Sequence, residues 1–236
     1  MTSRRELILS MASLWLARIA SAAEAVRLPV RDRLRKLDEL SGALAHREIG
    51  QVDWQNGVEA LARGIDLAEL CRLADFERVA ARLPLLPKGT NAEVIQLLPG
   101  QRFTPKIFAM GKGRAIIPHG HVNMVSHHLV LQGELHGWHW ERVRDEPENL
   151  ILRPTIDRRF KPGDSSSISD QRDNVHWFVA TGDRAYTLDC IVDNLDPSRG
   201  YRFHIDFVDP DRARKQPDGT LRAPRLELDE ALKRYG

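Results

Sequence analysis

The sequence predicts a mainly β domain, a barrel or sandwich of short strands, carried behind a helical N-terminal segment. Three observations predict it. Leucines recur at helical spacing only before about residue 90, and short apolar runs rich in Val, Ile, Phe and Trp, separated by Gly, Pro, Asn and Asp, follow it. All but His46 and His204 of the nine histidines lie between His119 and His176, inside the strand-like part. The 236 residues suffice for one sizeable domain, and 42% hydrophobic with 29% charged residues is the composition of a folded chain. A net charge of +2, with no Lys/Arg stripe interleaved with aromatics, argues against a nucleic-acid partner.

The first 25 residues read as an address. Arg4-Arg5 after Ser3, then apolar Leu7, Ile8 and Leu9, resemble a twin-arginine export signal. The apolar stretch from Ile8 to Ala20 contains Arg18 and is too short and broken for a stable membrane span. Ala23-Glu24-Ala25 offers a small-residue cleavage pattern. The expectation is a periplasmic or exported protein handled by the twin-arginine machinery. The alternative is a cytoplasmic protein whose N-terminal helix exposes its Arg pair.

Residues 26–89 read as a helical cap. Leu34, Leu37, Leu40 and Leu44 fall on one helical face, with Arg35, Lys36, Asp38 and Glu39 toward water. Asp53 is the expected cap of a second helix carrying Val58, Leu61 and Ala62, and Gly64 its end. Asp66 is the expected cap of a third, with Leu67, Leu70, Cys71 and Leu73 as its face. Pro84 to Gly89 stops the pattern. Residues 90–210 read as the barrel, with strands expected at Val94–Leu98, Lys106–Met110, His128–Leu131, Trp138–Val143, His176–Ala180, Tyr186–Val192 and Tyr201–Val208, and residues 211–236 as a C-terminal tail. Cys71 and Cys190 are too few and too far apart for a disulfide framework and read as buried free thiols.

The chemistry concentrates at Pro118-His119-Gly120-His121. On a strand, residues i and i+2 point the same way, so two imidazoles face one side, as a mononuclear metal requires. By the same alternation His128 shares the face of Ser126, while His127 faces away and reads as a surface residue. His136 and His139 read as surface or barrel-wall residues, and Trp138, Trp140 and Trp177 as barrel packing.

The segment Gly113 to His121, with Leu129-Val130-Leu131-Gln132-Gly133 after it, resembles the cupin family: a glycine, five residues, His-x-His, and a strand closing in a glycine turn. The resemblance implies a single-domain double-stranded β-helix, a jelly-roll-like barrel, with His119 and His121 as metal ligands and His176, in Asn174-Val175-His176, as the third. The Pro-x-Gly that often precedes that histidine is absent, and the positions of the glutamate ligand that many members carry are Val125 and Ser126. Residues 94 to 195 are further similar to the plant cysteine oxidase and cysteamine dioxygenase family, through Ile107-Phe108, Ile117-Pro118-His119, His121, Met124, Gly133, Asn174, His176, Ala185 and Leu188-Asp189. That family's Cys-x-Tyr-Tyr-type segment is not matched at Gly200 to Asp206.

The resemblance implies a non-haem iron(II) dioxygenase that uses dioxygen to oxidise a small thiol or an N-terminal cysteine to a sulfinate. Asp189 is then the expected catalytic residue, with Asp189, Ser126 and His128 contacting substrate. Nickel, copper, zinc and manganese are the alternative metals, and the missing glutamate argues against manganese oxalate-type chemistry. The other functions left open are a different metal-dependent reaction, lysis or isomerisation, and a non-catalytic small-ligand-binding role.

Overall fold

The structure is a computed structural model and describes residues 28–236. The export signal expected over residues 1–25 lies outside the described residues. No helix among the described residues is long and apolar enough to cross a membrane.

Among the described residues four helices come first: α1 (Val30–Ala45), α2 (Gln51–Ala62), α3 (Leu67–Leu73) and α4 (Phe76–Arg82). The leucine stripe does what its spacing dictates: Leu34, Leu37 and Leu44 are buried. Asp66 caps α3, its carboxylate accepting from Glu69 N at 2.9 Å. Asp53 does not cap α2. It lies inside the first turn, where its charge complements the helix N-terminus, and Gly50 holds the cap position.

Twelve strands follow: β1 (Asn91–Val94), β2 (Thr104–Gly111), β3 (Ala115–Val122), β4 (Met124–Gln132), β5 (Leu135–Asp145), β6 (Asn149–Phe160), β7 (Ser165–Ile168), β8 (Val175–Ala180), β9 (Arg184–Asp193), β10 (His204–Val208), β11 (Arg214–Lys215) and β12 (Leu221–Leu226). They form two antiparallel sheets, β1-β2-β9-β4-β7 and β10-β3-β8-β5-β6-β12-β11. This is the mainly β, double-stranded β-helix architecture expected, with the helical segment before it. The expected Val94–Leu98 strand is instead β1, because Leu97 and Leu98 give their N–H groups to the Gln101 side chain. The last expected strand starts at His204, after a 3-10 turn at Pro197–Arg199 and a left-handed Gly200.

The helices pack on the outer face of the first sheet. Leu34, Leu37, Val58, Leu61 and Leu70 meet Val125, Leu129, Leu131, Leu188 and Cys190 in one core. Strand β4 is therefore buried on both faces along its length except Gln132. The barrel interior has its own apolar floor of Met110, Ile116, Val130, Leu135, Phe160 and Phe178. At the end of β4, Gly133 takes φ +79°, and a side chain there would strike the Arg184 carbonyl, so the turn demands glycine.

Residues 211–236, read as a tail, carry β12 and helix α5 (Leu228–Tyr235). Strand β12 pairs with β6 and also with β10, so β3, β8, β5, β6, β12 and β10 close a ring of strands around Trp140, Leu150, Leu152, Val175, Val208 and Ala223. Helix α5 lies against β3, packing Ala231 and Tyr235 on Ala115 and Ile117. Buried Asp209 anchors it by accepting from the Tyr235 hydroxyl at 2.6 Å and from Arg234. Both cysteines are free thiols; Cys190 is buried and Cys71 half-buried.

Candidate metal centre

His119 and His121 stand on β3 with the same parity, and β8 brings His176 beside them as the register partner of His119. The three rings pack with centroids 4.3 to 5.3 Å apart, and one ligand nitrogen from each lies within 4.8 Å of the others. Local features fix this arrangement. A side chain at residue 120 would come within 2.7 Å of Asn174 Oδ1 and 3.0 Å of Val175, so glycine between the two histidines lets β8 approach. Asn174 ties the strands together, donating from its amide to His121 O at 2.6 Å and Ser169 O at 2.9 Å.

The donor set fits a divalent transition metal. His119 Nδ1 lies 2.7 Å from the Ile117 carbonyl, which only accepts, so Nδ1 carries the proton and Nε2 keeps its lone pair. Burial pushes the His119 pKa down to about 4 and holds His121 and His176 well below the ordinary histidine value. All three are neutral near pH 7, the form that binds metal. Among the described residues no carboxylate joins the set. Val125 faces the helical core and Ser126 faces the cavity, so the strand offers no anionic ligand.

The histidines stand in a cavity of about 580 Å³ between the two sheets. Ser126, His128 and Asp189 all line it, as alternation along β4 and β9 requires. Asp189 differs from expectation in one respect. Its Oδ2 accepts from His128 Nδ1 at 2.7 Å, both side chains being buried, so the carboxylate reaches the cavity largely through the imidazole. His128 Nε2, Asp189 Oδ1 and Ser126 Oγ are buried and have no hydrogen-bond partner among the described residues.

Two histidines depart from their sequence readings. His127 does face away from the cavity, but the helices cover it and leave it 3% exposed, with a pKa pushed down to about 3 by desolvation. His139 is fully buried inside the barrel, its ring 5.9 Å from that of His176 and its Nε2 3.1 Å from Ser166 Oγ. His136 stays half-exposed, stacked on Trp138 and bonded to Asp157, and Trp138 stacks in turn on Trp177.

Register reveals two residues that motif reading missed, Lys106 and Ser166. Across the first sheet Lys106 pairs with Asp189, Asp189 with His128, and His128 with Ser166. Ser166 meets His139 across the barrel, and on the second sheet His139 pairs with His176 and His176 with His119. The polar residues thus form one circumferential layer above the apolar floor. Lys106 shares its face of β2 with Thr104 and Phe108, the only signal the sequence carried for it.

No protein-family model matches the chain, and no curated protein does. Solved structures that match part of the chain include a sugar phosphate isomerase of the cupin superfamily from Silicibacter pomeroyi, at 16% identity, TM-score 0.38, 60% of this chain and 82% of that one. A cupin superfamily protein from Desulfitobacterium hafniense is 14% identical, TM-score 0.34, over 48% of this chain and 86% of its own. Procruciferin, an 11S globulin from Brassica napus, is 15% identical, TM-score 0.38, over 52% of this chain; the match spans 28% of that longer chain.

Proposed function

We propose that the protein is a mononuclear iron(II) thiol dioxygenase that converts a small thiol or an N-terminal cysteine to the sulfinate. The observation that carries this reading is the donor set: three neutral imidazoles and, among the described residues, no carboxylate, facing a cavity large enough for a small molecule. His119, His121 and His176 would hold the metal. Iron(II) there would supply Lewis acidity and one-electron chemistry with dioxygen. Three neutral ligands leave the metal charge unbalanced, which favours an anionic sulfur ligand.

The chain's own residues do the rest. With its Nδ1–H committed to Asp189, His128 presents Nε2 to the cavity as an acceptor for a substrate S–H or N–H. Asp189 positions that ring, and Oδ1 remains as a further acceptor. Met124, Ile191 and Phe207 line the same space with apolar surface that excludes water. The overall reaction balances without an external reductant: both oxygen atoms of dioxygen pass to sulfur, sulfur loses four electrons, and dioxygen gains four.

The test is dioxygen uptake by protein loaded anaerobically with iron(II) and offered a panel of thiols, with His176→Ala as control and the sulfinate read by mass spectrometry. Uptake coupled to sulfinate and absent in the variant is the expected result. Stoichiometric iron binding with no uptake for any thiol overturns the reading in favour of another metal-dependent reaction or a binding role.

A further inference from the structure

The polar layer contains one cation that the metal chemistry does not use. Lys106 stands on the cavity face of β2, in register with Asp189 on β9. The side chain is half-buried, yet among the described residues no hydrogen bond or ion pair reaches its ammonium, whose recorded neighbour is the Phe108 ring at 5.6 Å. Lys88 also borders the cavity, but it is exposed on the loop after Pro87, and the buried or half-buried charges beside Lys106 are committed. Asp189 holds His128 at 2.7 Å, and Asp193 holds Arg202 at 2.7 Å. An unpaired, partly desolvated cation is costly unless a ligand completes it.

We propose that Lys106 selects substrates that carry an anionic group, a carboxylate on the molecule whose reacting end meets the histidine triad. The chemistry is additive: three neutral ligands leave the metal charge uncompensated, and Lys106 extends the positive field along the wall by which a ligand enters. The ligand class is therefore a short-chain carboxylic acid. Its thiol end rests on the dioxygenase reading, while its acid end rests on Lys106 alone.

The experiment separates the two. Protein loaded with cobalt(II), which reports thiolate ligation by its charge-transfer absorption, is titrated anaerobically with mercaptopropionate and with its neutral counterpart mercaptopropanol. Calorimetry follows propionate against propionamide as a thiol-free pair. We expect each acid to bind about tenfold more tightly than its neutral partner. The preference should vanish in Lys106→Met and persist in Lys106→Arg, and cobalt stoichiometry should be equal in all three proteins. If no thiol ligates the metal but propionate keeps a Lys106-dependent preference, the thiol reading falls and this one stands. Equal binding of acid and neutral partners in the wild type, or a preference that survives Lys106→Met, overturns it. A Lys106→Met protein that fails to fold leaves Lys106→Glu and the wild-type acid-to-neutral ratio to decide, a ratio of one again refuting the proposal.

Discussion

Lowering the pH of the metal-free protein from neutrality to about 5 should unfold it well before its carboxylates protonate. Burial depresses the pKa values of His119, His121, His127, His139 and His176, and desolvation is the first cause in every case. The unfolded chain takes up a proton at each imidazole as the pH falls through about 6.5. The folded chain resists, at His127 and His139 until about pH 3 and at His119 until about pH 4. Each such group contributes stability that is fully present above about pH 6.5 and is lost as the pH falls toward its folded value.

For one imidazole held neutral the loss is about 2 kcal/mol at pH 5, with a slope of about 1.4 kcal/mol per pH unit. A few such groups together rival a typical total stability of about 5–15 kcal/mol. The assay is urea unfolding of chelator-treated protein at a series of pH values. His127 isolates the effect, because it faces the helical core and not the metal triad. His127→Gln should lower the slope between about pH 6 and pH 4 by close to one proton's worth. An unfolding midpoint that does not move between about pH 7 and pH 5, or a slope unchanged in the variant, would refute the reasoning.

Other expectations follow from single contacts. Gly120→Ala places a methyl group 2.7 Å from Asn174 Oδ1, and should cost about 1–3 kcal/mol in the unfolding assay while weakening zinc or cobalt binding measured by calorimetry. Asp189→Asn offers an N–H to His128 Nδ1 and removes the preference for the tautomer with an accepting Nε2. Sulfinate formation should then fall by about 10²-fold with metal stoichiometry intact, and an unchanged rate would remove the pair from the mechanism. Replacing Arg4 and Arg5 by Lys should leave the full-length protein in the cytoplasmic fraction of an exporting bacterial host; unchanged fractionation would refute the export reading.

The local features were the legible ones. The leucine spacing of α1 and the Asp66 cap are decided by neighbours in sequence, and His119 and His121 share a face because strand alternation is a local property. Asp53 failed as a cap because a Ser, Asp or Asn near a helix start does not say which residue is the first outside it. His127 and His139 failed for a different reason. Alternation says only which of two faces a side chain takes. Whether a face meets water depends on what packs there: α1 to α4 on the outer side of β4, and Ser166 of the opposite sheet against His139. Lys106 and Ser166 were illegible because cross-strand register between β2, β9, β4 and β7 is set by long-range pairing.

The unpartnered atoms indicate where that pairing leads. A folded interior seldom leaves buried polar atoms without hydrogen bonds, since each costs about 1–3 kcal/mol. Here His121 Nδ1, Ser126 Oγ, His128 Nε2, His176 Nδ1 and Asp189 Oδ1 are all in that state, and their residues all line one cavity. A barrel needing only a core would extend the apolar layer of Leu135, Phe160 and Phe178 upward, as those residues already do one level below. The polar layer instead leaves acceptors and imidazoles converging on a single space, and a ligand that brings both a metal-binding atom and hydrogen-bond donors satisfies them together. That is why the double variant His128→Phe with Asp189→Leu, which removes the unpartnered Nε2 and Oδ1 together and leaves no buried carboxylate without its partner, should hold or raise the unfolding midpoint and still weaken substrate binding. A midpoint that drops with binding unchanged would mean that the His128–Asp189 pair serves the core and not the site.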